Sequence, residues 1–386
     1  MGYTFTRDDI AYLSSAAGAA ALAEVGDVAL SSASLLKDLE RIRRGHGDRA
    51  AALVETVRLR RRATAKLADA DDWLFTDDAL QQATPSAVAR HRAQRLAGRT
   101  VHDVTCSIGA ELAALAEVCP AVLGSDLDEV RLAMAAHNLG VRKVLLAKAD
   151  ALVPCSTAEV VIADPARRAD GRRTHDPAKL QPPLPDLLTA YAGRDLAVKC
   201  APGLDFDTLG WAGEVEVVSL DGAVREACLW STGLAEPGVT RRATVLSATA
   251  APWTLTDTAP DDIPEREPGE WIVDPDGAVV RAGLVRHYAA KHDLWQLDPR
   301  IAYLTGDKVP DGVRGFRILD RMEFREKPLR AELHRRDCGP LEILTRGVDI
   351  DPDALRARIK PRGKIPHTLV VTRIGRTATV FLCATP

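Results

Sequence analysis

Aromatic side chains are scarce in this sequence: 6 Phe, 6 Trp and 5 Tyr make up 4% of 386 residues, which weighs against a closed apolar pocket for a small substrate. Long apolar runs are missing as well, and none approaches the roughly 20 residues that span a bilayer. The opening stretch, MGYTFTRDDIAYLSS, has acids where a secretory leader needs basic residues followed by an apolar segment. The seven cysteines form no C-x-x-C pair and have no histidine cluster nearby, so zinc ligation is not indicated. An odd, scattered set in a long chain is expected to be reduced core thiols, which points to the cytoplasm, away from a membrane. No metal site is expected.

What is present is ordinary for a globular chain: 46% hydrophobic and 27% charged residues exclude disordered and fibrous classes. The length suggests two or three domains at roughly 150 residues each. A formal net charge of −3 advertises no polyanionic partner, yet the charges are segregated. Residues 41–66 hold nine Lys or Arg against Asp48 and Glu55, and residues 356–376 hold seven with no acid. Between these tracts, residues 251–278 carry eight acids, Arg266 and five prolines.

The texture of the chain divides it further. Residues 1–80 repeat apolar positions at three and four spacing, as in Ile10, Leu13 and Ala17, and predict a helical domain. Its row Arg58, Arg60, Arg61 and Arg62 is either a solvated face or a face turned to RNA. Residues 81–250 alternate short Val-, Ala- and Leu-rich runs with helical stretches: VHDVT, AVLGSD, KVLLAKAD, AEVVIADP and RDLAVKC, then EVEVVSL, ACLWS and RRATVL. Such alternation predicts an α/β fold with a Rossmann-like parallel sheet covered by helices on both faces. A turn at Asp221-Gly222 would make the later strands antiparallel. The acidic, Pro-rich segment 251–278 reads as a linker, and 279–386 as a small α+β domain with a basic edge.

Ligands of an open parallel sheet sit at the carboxyl ends of its strands, so the residues ending each predicted strand matter most. All four early strands close on an acid: Asp103, Asp126, Asp150 and Asp164. The loop after the first strand lacks the G-x-G-x-x-G pattern that lets bare backbone approach a pyrophosphate; only Gly109 is in place, flanked by Asp103 and Glu111. Acidic walls suit instead a ligand with a cationic centre, an amino group and ribose hydroxyls, which describes S-adenosylmethionine. Asp126 is placed to take the ribose hydroxyls and Asp150 the adenine amino group. An Asp in such places also commonly caps a helix or opens a turn.

The sharpest local signal is DPARR, residues 164–168. An acid followed by proline fixes an extended turn and can present a carboxylate and a carbonyl as paired acceptors for an amino group. Its plain alternative is a strand-ending turn.

The run from Asp103 to Glu111, then GSDLD, then ADPARR, resembles class I S-adenosylmethionine-dependent methyltransferases. Within these the chain is most similar to bacterial proteins that join a helical N-terminal region, a catalytic domain and a C-terminal THUMP-like domain. LFTDDALQQATPSAVARHRAQRLAG, VRAGLVRHYA, LDPRIAYLTGD and LEILTRGVDIDPDALRARIKPRG carry that likeness over nearly the whole length. The catalytic part also resembles trimethylguanosine-synthase-like enzymes. The resemblance implies that Asp103, Cys106, Ser107 and Gly109 lie under the methionine part of the cofactor, Asp126 and Leu127 at the ribose, and Asp150 near the adenine. It puts Asp164 and Pro165 at the substrate. Thr105, Ser107 and Ala110 stand where the family commonly has glycine. Arg167 stands where related N-methyltransferases often have a stacking aromatic.

A guanidinium plane can stack on a base and also pair a phosphate. Arg167, Arg168 and Arg172 are therefore candidate substrate residues, with Lys199 beside them; a salt-bridged surface loop is the alternative. Carbon methylation would need a thiolate at the substrate end of a strand, where only Cys200 is available. Three functions are left open: methylation of a base nitrogen in tRNA or rRNA, methylation of a small molecule, or RNA binding with a decayed cofactor site.

Overall fold

The computed structural model describes residues 3–68, 70–166, 168–169, 172–173, 176–264 and 266–385, with side chains described outside 167–175. Two compact units emerge: residues 1–214 with 226–235, and residues 215–225 with 236–386.

The first unit opens with helices α1 (Arg7–Leu13), α2 (Ala16–Gly26), α3 (Leu35–His46) and α4 (Ala50–Ala63). Thr6 starts α1 with a capping box: its hydroxyl accepts from Asp9 N, and Asp9 Oδ2 accepts from Thr6 N at 3.0 Å. The arginine row on α4 is spent inside the unit. Arg60 Nε donates to Trp73 O at 2.9 Å, Arg61 donates to the carbonyls of Gly26, Val28 and Ala29, and Arg62 pairs with Asp77 at 2.5 Å. The three carbonyls held by Arg61 lie at or just beyond the end of α2, where unsatisfied acceptors and the helix dipole favour a cation. Two short helices, α5 (Asp77–Gln82) and α6 (Ser86–Arg95), lead into the sheet.

That sheet contains β1 (Thr100–Asp103), β2 (Ala121–Asp126), β3 (Val144–Lys148), β4 (Val160–Ala163) and, beyond a small hairpin of β5 (Arg168–Ala169) and β6 (Arg172–Arg173), β7 (Asp195–Cys200). After β8 (Glu214–Leu220) the chain returns in β9 (Ala223–Trp230). Within the first unit the strand order is β9-β7-β4-β1-β2-β3, parallel except for β9, which runs antiparallel to β7. Helices α7 (Ala110–Val118), α8 (Glu129–Leu139) and α9 (Leu184–Ala190) complete the crossovers. The order reverses at β1, whose neighbours are β4 and β2, so the crevice belongs at the carboxyl ends of β1 and β4.

Phe5, Leu13, Leu53 and Phe75 share one buried cluster with Val101, Ile108, Val160 and Trp230. The N-terminal helices therefore have no separate core, and the break expected at residue 80 does not coincide with a unit boundary. The reason lies in their apolar faces, which pack into the core that also covers the sheet.

In the second unit β8 pairs in parallel with β10 (Arg241–Leu246), which pairs antiparallel with β11 (Trp253–Thr256). Asp221 and Gly222, both at positive φ (51° and 74°), make the turn between β8 and β9. The chain continues through β12 (Trp271–Val273), α10 (Gly277–Arg281), α11 (Val285–Lys291), β13 (Trp295–Gln296), β14 (Leu304–Gly306), β15 (Gly315–Glu323), α12 (Glu326–Arg335), β16 (Cys338–Arg346), α13 (Pro352–Ile359), β17 (Ile365–Ile374) and β18 (Thr377–Ala384). Strands β12 to β18 form a sheet in the order β13-β14-β12-β15-β18-β17-β16, with only β16 and β17 parallel. Leu329 and Leu333 of α12 and Leu355 and Ile359 of α13 pack with Leu369 and Leu382 of this sheet. The segment expected as a linker contains β11 and β12, because Leu255, Ile272 and Val273 between its prolines are buried.

Candidate active site

Strand β1 delivers Asp103, which is only 4% exposed, to the crevice. Its Oδ1 accepts from Thr105 N at 3.0 Å, while Oδ2 makes no hydrogen bond to a described residue. Burial pushes this carboxyl up to about 7; the Thr105 N–H works against the shift, and the charges of Glu111, Asp164 and Asp126 add to it. The loop then turns through two residues at positive φ, Ser107 at 49° and Gly109 at 85°, into α7. It packs closely on β2: a Cβ on Gly124 would lie 3.0 Å from Cys106 Cβ and collide with Leu112.

At the end of β2, Asp126 is fixed from both sides. Its Oδ2 accepts from Ser107 N and its Oδ1 from Asp128 N, each at 2.9 Å. Leu127 follows, 61% exposed although apolar. Asp150, beyond β3, accepts from Leu152 N at 2.9 Å.

The other side of the crevice is built from β4, β7 and the N-terminal helices. Ala163 and Val198 are register partners, so the next residues, Asp164 and Lys199, come side by side. Lys199 Nζ lies 2.6 Å from Asp164 Oδ2, and also donates to Thr84 Oγ1 at 3.0 Å and Gln82 O at 3.3 Å. Asp164 N donates to Thr105 Oγ1 at 2.7 Å, which ties the loops after β1 and β4 together. Buried Arg92 of α6 pairs with Glu111 of α7 at 2.6 Å and with Glu226 of β9. Burial opposes the charge of the guanidinium, but Glu111 above all, with Asp164 also near, holds it above the usual range. Glu111 Oε1 is buried with no hydrogen-bond partner among the described residues.

These groups converge on a cavity of about 330 Å³, within the range of small-ligand sites. Of the residues expected from sequence, Asp103, Cys106, Ser107, Asp126, Leu127, Asp150, Asp164 and Lys199 line it. Gly109 shapes the loop without reaching the wall. Pro165 is buried and is not among the lining residues, whereas Ala166, bridged to Gln181 in both directions, is. Cys200 is buried and does not line the cavity either. Burial, with Asp103 and Asp126, pushes the Cys106 thiol up, away from thiolate character. Arg167 lies outside the described residues, as do the side chains of Arg168 and Arg172, whose backbones form the β5–β6 hairpin.

Sequence reasoning passed over Arg92, Thr84, Gln82 and Glu226. A buried arginine between two glutamates gives no local signal when its partners are 19 and 134 positions away in the chain.

The cavity fits S-adenosylmethionine by the chemistry of its donor set. A partnerless Asp103 oxygen and the orphaned Glu111 Oε1 call for hydrogen-bond donors and positive charge, which an ammonium and a sulfonium centre provide together. Asp126 and Asp150 would hold the ribose and adenine, and exposed Leu127 offers an apolar surface for a ring.

Comparison with known proteins agrees. Residues 313–385 match the THUMP domain-like family, and residues 6–63 match a domain family of unknown function. Proteins from two strains of Mycobacterium tuberculosis, CDC 1551 and H37Rv, are each 55% identical over 352 residues, covering 87% of this chain and 98% of theirs. Both are described as uncharacterized S-adenosylmethionine-dependent methyltransferases. The crystal structure of a candidate methyltransferase from Porphyromonas gingivalis W83 shares the fold, with a TM-score of 0.76 at 20% identity over 99% of this chain and 100% of that one. The chain belongs to the S-adenosylmethionine-dependent methyltransferases and carries a THUMP-like domain at its C-terminal end.

Proposed function

We propose that the enzyme methylates a nitrogen of a base in RNA, in tRNA or rRNA. The observation that carries the reading is in the THUMP-like domain. The side chains of Lys360, Arg362 and Lys364, in the loop between α13 and β17, and of Arg376 in the β17–β18 turn, belong to exposed residues and have no partner among the described residues. Two other cations of the tract are engaged: Arg356 with Asp353, and Arg358 with Glu326 at 2.9 Å. Uncommitted surface cations are what an RNA backbone requires. The N-terminal basic tract contributes less to this reading, because Arg60, Arg61 and Arg62 are already consumed.

At the site, S-adenosylmethionine when bound supplies an electrophilic methyl group. Asp164 Oδ1 has no described partner, so it is available to accept a hydrogen bond from an exocyclic or ring N–H and thereby orient that nitrogen. Ile162, Ala79, Ala83 and Pro182 add apolar wall to the same cavity. Catalysis on this account is positioning and electrostatics rather than covalent chemistry.

The test is mass spectrometry of nucleosides from tRNA and rRNA of a strain lacking the gene. One methylated nucleoside should vanish and return when the purified enzyme is supplied. An unchanged nucleoside profile would overturn the RNA reading and leave the small-molecule alternative.

A further inference from the structure

We propose that Lys199 is a positioning residue of the methyl-transfer site, acting through Asp164 from an anchor in the N-terminal segment. The inference rests on the reading of Asp164 as the group that faces the acceptor nitrogen.

Three observations carry it. First, the Lys199 ammonium is only 6% exposed, and its three acceptors, Asp164 Oδ2, Thr84 Oγ1 and Gln82 O, account for all its protons. A lysine so satisfied has no donor left for a substrate; its task is to hold what it touches. Second, it takes one of the two Asp164 oxygens. The carboxylate is thereby fixed in rotation and presents Oδ1 alone, so the acceptor meets one defined hydrogen-bond acceptor instead of a freely turning pair. Third, the anchor does not belong to the sheet. Gln82 is the last residue of α5, where carbonyls are unsatisfied and favour a cation, and Thr84 follows it. Thr84 is itself buried, and Ala79, Gln82, Ala83 and Thr84 all line the cavity. The N-terminal region is thus a wall of the acceptor site and, through Lys199, sets the orientation of the carboxylate. A sheet-only methyltransferase would lack this strut.

The experiment combines Lys199→Met, Lys199→Arg, Thr84→Val, Asp164→Asn and the Lys199→Met/Asp164→Asn double variant in the full chain. Cofactor binding is read by calorimetry with S-adenosylmethionine. Turnover is read with methyl-labelled cofactor and total RNA from a strain lacking the gene. Lys199→Met should lower kcat about 100-fold while KM for RNA and Kd for the cofactor stay within about threefold. Lys199→Arg should recover most of the loss. Thr84→Val, which leaves the ammonium in place, should cost about five- to tenfold in kcat and guards against a misfolded lysine variant. The double variant should be no slower than Asp164→Asn alone, since the lysine acts only through that carboxylate. Multiplicative losses in the double variant, or an equal fall in cofactor affinity and kcat, would overturn the proposal.

Crystal structures of wild type and Lys199→Met supply a readout independent of the acceptor. Asp164 should occupy one rotamer with the lysine present and several without it; a single shared rotamer refutes the strut even if no RNA is methylated. Absence of RNA methylation by wild type would instead count against the RNA reading, with the rotamer result still deciding the role of Lys199. Full turnover by Asp164→Asn would overturn both.

Discussion

Asp103 pits stability against cofactor binding, and the conflict can be measured. Its carboxyl is pushed up to about 7 from an ordinary 3.8, mainly by burial. A raised folded-state value means that the native protein holds a proton the unfolded chain has already lost. The contribution to stability is complete below about pH 4 and is lost as pH rises through 7. A shift of that size corresponds to about 4 kcal/mol of stability surrendered by pH 8 in the cofactor-free protein.

His102, the neighbour of Asp103, acts in the opposite sense. Burial, with Arg194 nearby, holds its imidazole down at about 4 from 6.5, so its contribution is lost as pH falls through that window. The wild-type pH profile therefore mixes two opposed slopes, and Asp103→Asn separates them. Asparagine keeps an oxygen for Thr105 N and removes only the ionisation. The variant should be close to wild type in stability at about pH 4 and more stable by about 4 kcal/mol at pH 8, measured by denaturant unfolding without cofactor. It should also bind S-adenosylmethionine more weakly by about 1.5–3 kcal/mol, roughly 10- to 150-fold, the worth of a charged hydrogen bond. In the wild type, calorimetry at pH 7 in buffers of different ionisation enthalpy should show release of about half a proton on binding, because a cationic ligand drives Asp103 to its charged form. A variant less stable than wild type at pH 8, combined with binding that releases no proton, refutes this reasoning.

Other perturbations probe the scaffold and the RNA surface. Arg92→Met leaves Glu111 and Glu226 buried without their shared cation and should cost about 3–5 kcal/mol, read from the denaturation midpoint. Gly124→Ala drives a methyl against Leu112 and Cys106 and should destabilise by about 1–3 kcal/mol while weakening cofactor binding, since Cys106 belongs to the loop that forms the cavity wall. Reversing charge at Arg362, Lys364 and Arg376 should reduce the slope of log affinity against log salt for tRNA by roughly 2–3, and an unchanged slope would place the RNA elsewhere.

How far the sequence could be read follows from the range of the interactions involved. Acids at strand ends were legible because a parallel sheet places consecutive strand termini along one edge, so Asp103, Asp126, Asp150 and Asp164 had to gather if the strands formed. The pairing of Asp164 with Lys199 was not, because it depends on the register of β4 against β7, which neither strand states by itself. The arginine row of α4 misleads for a similar reason. The acceptors of Arg60 and Arg61 are backbone carbonyls, at Trp73 and at Gly26, Val28 and Ala29, and every residue has a carbonyl, so no side-chain pattern announces them. The N-terminal boundary was hidden because helical periodicity reports that a face is buried, not which core receives it.

The departures from a glycine-rich loop are also informative. Ser107 occupies a positive φ that glycine would adopt without strain, yet its backbone N–H is what fixes Asp126. That bond needs only the backbone, so the loop keeps its function at some conformational cost. Thr105 is different, because its side chain does what glycine cannot: Oγ1 accepts from Asp164 N while its own N–H holds Asp103. One residue thus connects the carboxylate assigned to the cofactor with the carboxylate assigned to the acceptor. In a site whose chemistry depends on bringing a methyl group and a nitrogen into line, a link between the two loops is worth more than backbone room. The loss of glycine at 105 therefore reads as a gain in positioning, consistent with a working cofactor site and contrary to a decayed one.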